Sequence, residues 1–82
     1  MEKRIYSLNL ICYLRMNEVE HIDVGFDKKS RNVFYVYEDN DELKDGIEGY
    51  RDVDVVVKLH GFIGEFKKLK DEIFRYKREF DR

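Results

Sequence analysis

The chain has 82 residues, of which 43% are hydrophobic, 15% aromatic and 41% charged, with a net charge of −2. This length predicts one domain over residues 1–82, because two separate cores would each be too small to be stable. No apolar run approaches the roughly 20 residues that cross a membrane. The single cysteine excludes an internal disulfide and suits a reducing compartment, so we expect a cytoplasmic protein.

Acids and bases are unevenly distributed along the chain. Residues 38–54 contain eight acids and two bases, whereas residues 58–82 contain eight bases and five acids. Charge separated in this way affects the choice of binding partner more than the fold. It predicts one acidic contact region and a basic final segment.

The N-terminal half of the sequence predicts a helix followed by a β-hairpin. Ser7 is a suitable N-cap for a helix over "LNLICYLRMN", in which apolar residues recur at helical spacing. "HIDVGF" then alternates, with Ile22, Val24 and Phe26 on one side. "DKKSRN" has turn composition, and a second strand resumes at Val33.

The C-terminal half predicts a short helix, a third strand and a long final helix. Asp39 and Glu42 have capping-box spacing before a helix with Leu43 and Ile47 on one face. "VDVVVKL" (53–59) alternates like a strand, "HGFIG" reads as a turn, and a final helix covers 62–80. The order is α-β-β-α-β-α. We therefore expect an α+β fold with a small three-stranded sheet, helices mainly on one face and a long C-terminal helix.

The strand "VFYVYE" has bulky residues on both faces. If Phe34 and Val36 face the helices, Val33, Tyr35 and Tyr37 face outward. Outward aromatic rings on an open sheet are typical of single-stranded nucleic-acid platforms. The alternative is that tyrosine covers the sheet or contacts a partner. The adjacent acids, which repel phosphate, favour that alternative.

The final helix carries an apolar seam at heptad spacing. Its members are Phe62, Phe66, Leu69, Ile73, Tyr76 and Phe80. A helix of this length reaches about 28 Å, whereas a six-residue strand spans about 20 Å. The last turns should therefore overhang the sheet, and Phe74 lies off the seam. The first helix, a second copy of the chain or a different protein could cover these rings.

No group of residues predicts catalysis. Cys12, His21 and His60 match no zinc spacing. Cys12 lies in an apolar stripe, where a buried, inert thiol is expected. Because no nucleophile, base and oxyanion site come together, we expect a protein that is not an enzyme and that has no cofactor or metal.

Several motifs resemble a known family. The opening "YSLNLICYL", the hairpin ending in "VFYVYEDNDEL", the helix closing at Tyr50 and the final "FKKLK" helix are similar to a family of small uncharacterised proteins. Phages, prophages and other mobile elements of Gram-positive bacteria encode these proteins. This sequence has "NEVEHI" where the family often has "GF". The resemblance implies no catalytic residue, and it implies an accessory protein that acts by binding.

The sequence therefore predicts a binding module for a host or phage protein, such as an inhibitor of a defence protein, with a homodimer through the C-terminal helix also possible. The predicted interface residues are Glu38, Asp39, Asp41, Glu42, Asp45, Phe74, Tyr76 and Phe80. The alternative is a single-stranded nucleic-acid-binding domain. Its predicted contacts are Tyr35, Tyr37, Lys58, Lys67 and Lys70.

Overall fold

The computed structural model of the protein describes residues 1–51 and 59–80. Its elements are β1 (Glu2–Ile5), α1 (Leu8–Met16), β2 (Asp23–Asp27), β3 (Asn32–Glu38), α2 (Asp41–Arg51) and α3 (Leu59–Phe80). The three strands form an antiparallel sheet in the order β1-β3-β2. The predicted α+β class, the three-stranded sheet and the long C-terminal helix are confirmed.

The N-terminal segment supplies a strand that the sequence did not predict. Strand β1 pairs with β3, and its one buried residue, Ile5, lies opposite Tyr35. The other three residues of β1 are charged, so hydrophobic periodicity gives no strand signal there. The strand predicted at 53–59 falls on residues outside the described ranges, except that Leu59 begins α3.

The register of the hairpin decides which face of β3 meets the helices. Val24 lies opposite Tyr35, and Gly25 lies opposite Phe34. Directly opposed residues of an antiparallel pair share a face, so Tyr35 joins Val24 on the helix side. The expectation that Phe34 and Val36 face the helices is therefore wrong. The side chains that β3 directs to the core are Val33, Tyr35 and Tyr37.

The core lies between this face of the sheet and the three helices. Its buried members are Ile5, Ile11, Cys12, Leu14, Val33, Tyr35, Tyr37, Leu43, Ile47 and Leu69. Since every described element except β2 contributes at least one of them, and β2 packs Val24 and Phe26 against the cluster, one core unites the fold.

On the opposite face of the sheet, Phe34 contacts residues of the neighbouring strands and Tyr6. The ring of Phe34 lies directly over Gly25, where an added Cβ would come within 2.2 Å of Phe34 Cζ. The Arg4 guanidinium lies 4.6 Å from the centre of the same ring, and the Tyr6 ring lies 5.4 Å from it. Phe34 is buried, and these contacts with the neighbouring strands and with Tyr6 contribute to its burial.

Local hydrogen bonds fix the ends of the first two helices. The Ser7 hydroxyl accepts a hydrogen bond from the Leu10 backbone N–H at 3.3 Å, as predicted. The cap of α2 is Asn40, whose Oδ1 accepts from the Leu43 N–H at 2.9 Å, and not the predicted Asp39. At the end of α1, Glu18 adopts a left-handed conformation with φ 61°.

Helix α3 begins earlier than the sequence predicts. It starts at Leu59, so Gly61 and Gly64 lie within the helix and not in a turn. A Cβ at Gly64 would meet no atom within 4 Å, so packing does not require glycine there. Over the ranges 1–51 and 59–80, no helix combines the length and apolar character needed to cross a membrane.

Candidate functional site

Helix α2 and the residues before it present an acidic surface. We use this name for Glu38, Asp39, Asp41, Glu42, Asp45 and Glu48, all of which are exposed. Leu43 and Ile47 bury the opposite face of α2. None of the six acids makes an ion pair with a base in the described part of the chain. Their carboxylates therefore face solvent, although Lys44 and Arg51 lie on the same helix.

The sheet adds one more carboxylate beside this surface. Glu2 of β1 lies directly opposite Glu38 of β3. Like charges at directly opposed positions repel each other. Strand β1, which the sequence did not predict, thus brings Glu2 next to the acidic surface, together with the bases Lys3 and Arg4.

The predicted aromatic interface residues have different environments. Tyr76 is half-buried and packs edge-on to Tyr35, with the ring centres 6.4 Å apart. Phe80 is 44% exposed but stacks on Phe26 at 5.8 Å. The end of α3 therefore contacts the sheet and does not overhang it as expected. Phe74 is 62% exposed, and the Arg78 guanidinium carbon lies 6.0 Å from the centre of its ring.

The predicted nucleic-acid residues do not form an outer platform. Tyr35 and Tyr37 are 0% and 2% exposed and lie under the helices. Lys67 and Lys70 are exposed on α3, on the helix that covers those tyrosines. Lys58 lies outside the described residues.

A network of polar side chains joins α1, β3 and α3 beside the core. Arg15 donates two hydrogen bonds to Glu72, from Nη1 to Oε2 at 3.2 Å and from Nη2 to Oε1 at 3.1 Å. The Tyr35 hydroxyl donates to Glu72 Oε1 at 2.5 Å. The Arg15 guanidinium also lies 5.8 Å from the centre of the Tyr35 ring. One carboxylate thus accepts hydrogen bonds from two other elements.

The network perturbs the titration of its members. Burial alone would raise the pKa of Glu72, but the hydrogen bonds from Arg15 and Tyr35 outweigh it and lower the pKa below 4.5. Burial and the hydrogen bond to Glu72 raise the pKa of Tyr35. Near neutral pH, Glu72 is therefore charged and Tyr35 holds its proton.

His21 lies against the two buried tyrosines. Its ring is edge-on to Tyr35 at 4.8 Å and to Tyr37 at 6.4 Å. Burial and the charge of Arg15 lower its pKa below 6.5, in spite of the carboxylates nearby. His21 is therefore mainly neutral at pH 7.

A cleft of about 1040 Å³ opens above this network. It is bounded by the end of α1 and the loop after it, by β3 and by the last turns of α3. Its lining residues are Arg15, Glu18, Val19, Glu20, His21, Tyr37, Glu72, Arg75, Tyr76 and Glu79. Four carboxylates thus face two guanidinium groups, and one of these, on Arg15, is already bound to Glu72.

The floor of the cleft contains a hydroxyl without a protein partner. Tyr37 is 2% exposed and lines the cleft, yet its hydroxyl makes no hydrogen bond within residues 1–51 and 59–80. Every fully buried side-chain oxygen or nitrogen in those ranges has a hydrogen-bond partner. The Tyr37 hydroxyl must therefore reach the cleft surface, where it can bind a ligand or water.

The sequence contains a weak signal for the Arg15–Glu72 pair. The apolar seam of α3 does not include the polar residue that lies on the same helix face. Glu72 lies three positions after Leu69 and four before Tyr76, so it shares the inner face of α3 with the seam. Arg15 lies four positions after Ile11 on the inner face of α1. A single acid and a single base on two apolar helix faces are candidates for a buried pair.

The described residues do not indicate metal binding or a reactive cysteine. No group of three or more His, Cys, Asp or Glu side chains there is arranged to hold a metal ion. Cys12 is fully buried, its thiol lies 3.6 Å from the Phe62 carbonyl oxygen, and burial raises its pKa. These features match the inert thiol that the sequence predicts.

Comparison with curated proteins and with solved structures finds no match. A family model, that of a domain of unknown function (DUF5659), matches residues 2–76. This match covers α1, the part of α3 up to Tyr76, the whole sheet and the acidic surface. The chain belongs to the DUF5659 family, in agreement with the expected relationship to a family of uncharacterised proteins.

Proposed function

We propose that the protein is a non-enzymatic binding module that recognises a basic surface of a protein partner through its acidic surface. The observation that carries this proposal is that all six carboxylates of that surface are exposed and that none of them is ion-paired with a base among the described residues. Concentrated charge of one sign accelerates association with a partner of opposite charge and disfavours partners of the same charge.

The packing of α2 gives this surface a rigid base. A Cβ at Gly46 would lie 2.6 Å from Leu14 Cδ2, so glycine lets α2 approach α1 closely. Leu43 and Ile47 then bury the inner face of α2. The helix backbone that carries the outer acids is thus packed against the core, which reduces the backbone entropy that is lost on binding.

The biological setting of the proposal comes from the sequence resemblance. Accessory proteins of phages and mobile elements that act by binding include inhibitors of host defence proteins. An acidic surface suits this role because many defence proteins bind nucleic acid with basic surfaces, which a carboxylate cluster can occupy. We therefore favour a host or phage protein with a basic surface as the partner.

The direct test is affinity capture from the cells that produce the protein, followed by binding measurements with the purified partner. The test variant is Asp41→Asn, Glu42→Gln, Asp45→Asn. The control, Asp23→Asn with Asp71→Asn, removes two exposed acids elsewhere. We expect the wild type and the control to capture a partner with a basic surface. The test variant should not capture it, and high salt should release it from the wild type. Capture that is equal for all three proteins would refute the proposal.

The homodimer through the C-terminal helix remains a separate prediction. Leu69 is fully buried, and Phe62, Phe66 and Tyr76 of the seam pack on the core of the same chain. The remaining apolar surface of α3 centres on Phe74 and Ile63, which are 62% and 45% exposed. Light scattering at high micromolar concentration measures the molar mass in solution. The mass of a monomer there would refute the predicted homodimer.

The nucleic-acid alternative has lost the observation that suggested it, because Tyr35 and Tyr37 are buried. Fluorescence anisotropy with labelled single-stranded DNA and RNA at low salt tests it directly. Phosphate attraction is strongest under those conditions. We expect no saturable binding, and salt-sensitive binding would restore this alternative.

A further inference from the structure

We propose that the cleft between the end of α1 and the last turns of α3 binds a guanidinium group, such as that of an arginine side chain. This inference goes beyond the proposed function, because it concerns a different site from the acidic surface. The site would be lined by the carboxylates of Glu18, Glu20 and Glu79 and by the Tyr37 hydroxyl.

The charge of the cleft favours a cation. Arg15 and Glu72 neutralise each other through two hydrogen bonds. The other charged groups of the lining are three carboxylates, those of Glu18, Glu20 and Glu79, and one positive group, that of Arg75. His21 adds no positive charge near pH 7, because its pKa is lowered by burial and by Arg15. An arriving cation would therefore meet a net negative field.

The Tyr37 hydroxyl is a second and independent observation. It belongs to a side chain that is 2% exposed, it lines the cleft, and it has no hydrogen-bond partner in the described part of the chain. Burial raises the pKa of Tyr37 to about 12, so the group is a neutral hydroxyl at physiological pH. Its oxygen can accept a hydrogen bond from a cationic N–H group.

The chain itself shows that this environment accommodates a guanidinium group. Arg15 is held in the same cleft by a bidentate carboxylate and lies 5.8 Å from the centre of a tyrosine ring. The Tyr76 ring and the carboxylates of Glu18, Glu20 and Glu79 would give a ligand an aromatic ring and carboxylate oxygens, as Tyr35 and Glu72 do for Arg15. Guanidinium is planar and weakly hydrated, so it suits aromatic faces and carboxylate pairs better than ammonium does. A metal ion is disfavoured, because the described side chains form no metal-holding group.

The test is a titration of the purified, isotope-labelled protein with N-acetyl-arginine amide, followed by NMR. The matched control probe is N-acetyl-lysine amide, which has the same charge. We expect saturable shifts at Tyr37, Glu79 and the loop 18–21 at probe concentrations up to about 10 mM, with weaker binding of the lysine probe. No shifts there, or equal binding of both probes, would overturn the proposal.

Two variants locate the site. Tyr37→Phe removes only the unpartnered hydroxyl and should weaken binding by about three- to tenfold. Glu79→Gln removes one carboxylate and should weaken it by about tenfold or more. Asp71→Asn lies on the same helix outside the cleft and should leave binding unchanged. Loss of binding in Asp71→Asn equal to that in Glu79→Gln would refute the assignment to the cleft.

A further probe distinguishes the source of the guanidinium group. Tighter binding of acetyl-Ala-Arg-Ala-amide than of the single amino-acid amide would identify an arginine of a protein partner as the ligand. Equal binding would show that flanking peptide adds no contacts and would favour a free small molecule as the source. Either result supports a guanidinium site in the cleft. The variant Asp41→Asn, Glu42→Gln, Asp45→Asn, which changes only the acidic surface, should still bind the arginine probe. Failure of the acidic-surface proposal is thus distinguishable from failure at the cleft.

Discussion

Tyr35 and Glu72 are 37 residues apart in sequence, yet the Tyr35 hydroxyl donates a hydrogen bond to the Glu72 carboxylate. Tyr35 lies on the central strand of the sheet and Glu72 on the C-terminal helix. The same carboxylate accepts two hydrogen bonds from Arg15 of α1. A single acid therefore fixes the positions of three elements that form the wall of the cleft.

Tyr35→Phe should lower the free energy of unfolding by about 1 kcal/mol, because it leaves one oxygen of Glu72 with fewer donors. Tyr37→Phe is the matched control, since the Tyr37 hydroxyl has no hydrogen bond within the described residues. Its free energy of unfolding should change by less. Urea denaturation of both variants measures the difference, and equal losses would mean that the bond to Glu72 adds no stability.

Glu72 should make stability depend on pH in the acid range. Its folded-state pKa lies below 4.5, so the unfolded chain binds the proton more tightly than the folded protein does. Its stabilising contribution is thus present above pH 4.5 and is lost as the pH falls through the folded-state pKa. Glu72→Gln removes this dependence and costs about 1–3 kcal/mol at pH 7. Urea denaturation between pH 7 and pH 3 should show the two proteins converge, and a constant difference would contradict the prediction.

Alanine should have opposite effects at two helical glycines. At Gly64 an added Cβ meets no atom within 4 Å, so Gly64→Ala should stabilise the protein by up to about 1 kcal/mol. At Gly46 it would lie 2.6 Å from Leu14 Cδ2, and Leu14 is fully buried. Overpacking there should outweigh the gain in helix propensity and give a net loss of about 1–2 kcal/mol. Thermal unfolding of the two variants provides the test, and stabilisation by both would show that α2 can move away from α1.

Gly25→Ala should destabilise the sheet by about 1–3 kcal/mol. The new Cβ would come within 2.2 Å of Phe34 Cζ, so the ring must leave its position between Gly25 and Arg4. Restoring space with Phe34→Leu in the same chain should recover part of the loss. A double-mutant cycle measured by urea denaturation quantifies this coupling, and simple additivity of the two changes would disprove it.

Much of the fold could be predicted because three helices and the hairpin have strong local signals. The Ser7 cap, the Leu43 and Ile47 face and the heptad seam are patterns within one segment. The face of β3 could not be predicted, since apolar residues occupy both of its faces and a shift of one residue reverses every side chain. The register depends on the turn, in which Arg31 takes a left-handed conformation with φ 59°.

The candidate sites divide in the same way. The acidic surface was predictable, because a run of acids around Leu43 and Ile47 must face solvent on an amphipathic helix. The cleft was not, since Arg15 and Glu72 are 57 residues apart and their meeting depends on how α1 packs on α3. The hydroxyl of Tyr37 lines the cleft because the hairpin register places Tyr37 on the helix side of the sheet. The sequence alone does not determine that register.

The strand order β1-β3-β2 places the most aggregation-prone segment of the described chain in the middle of the sheet. Five consecutive bulky residues from Val33 to Tyr37 would form a strong template for pairing between molecules if β3 were an edge strand. The flanking strands prevent this, because β1 carries Glu2, Lys3 and Arg4 and β2 carries acids at both ends. Strand β1 thus shields one edge of β3 from pairing with other chains, and a tag or truncation that displaces β1 would expose that edge.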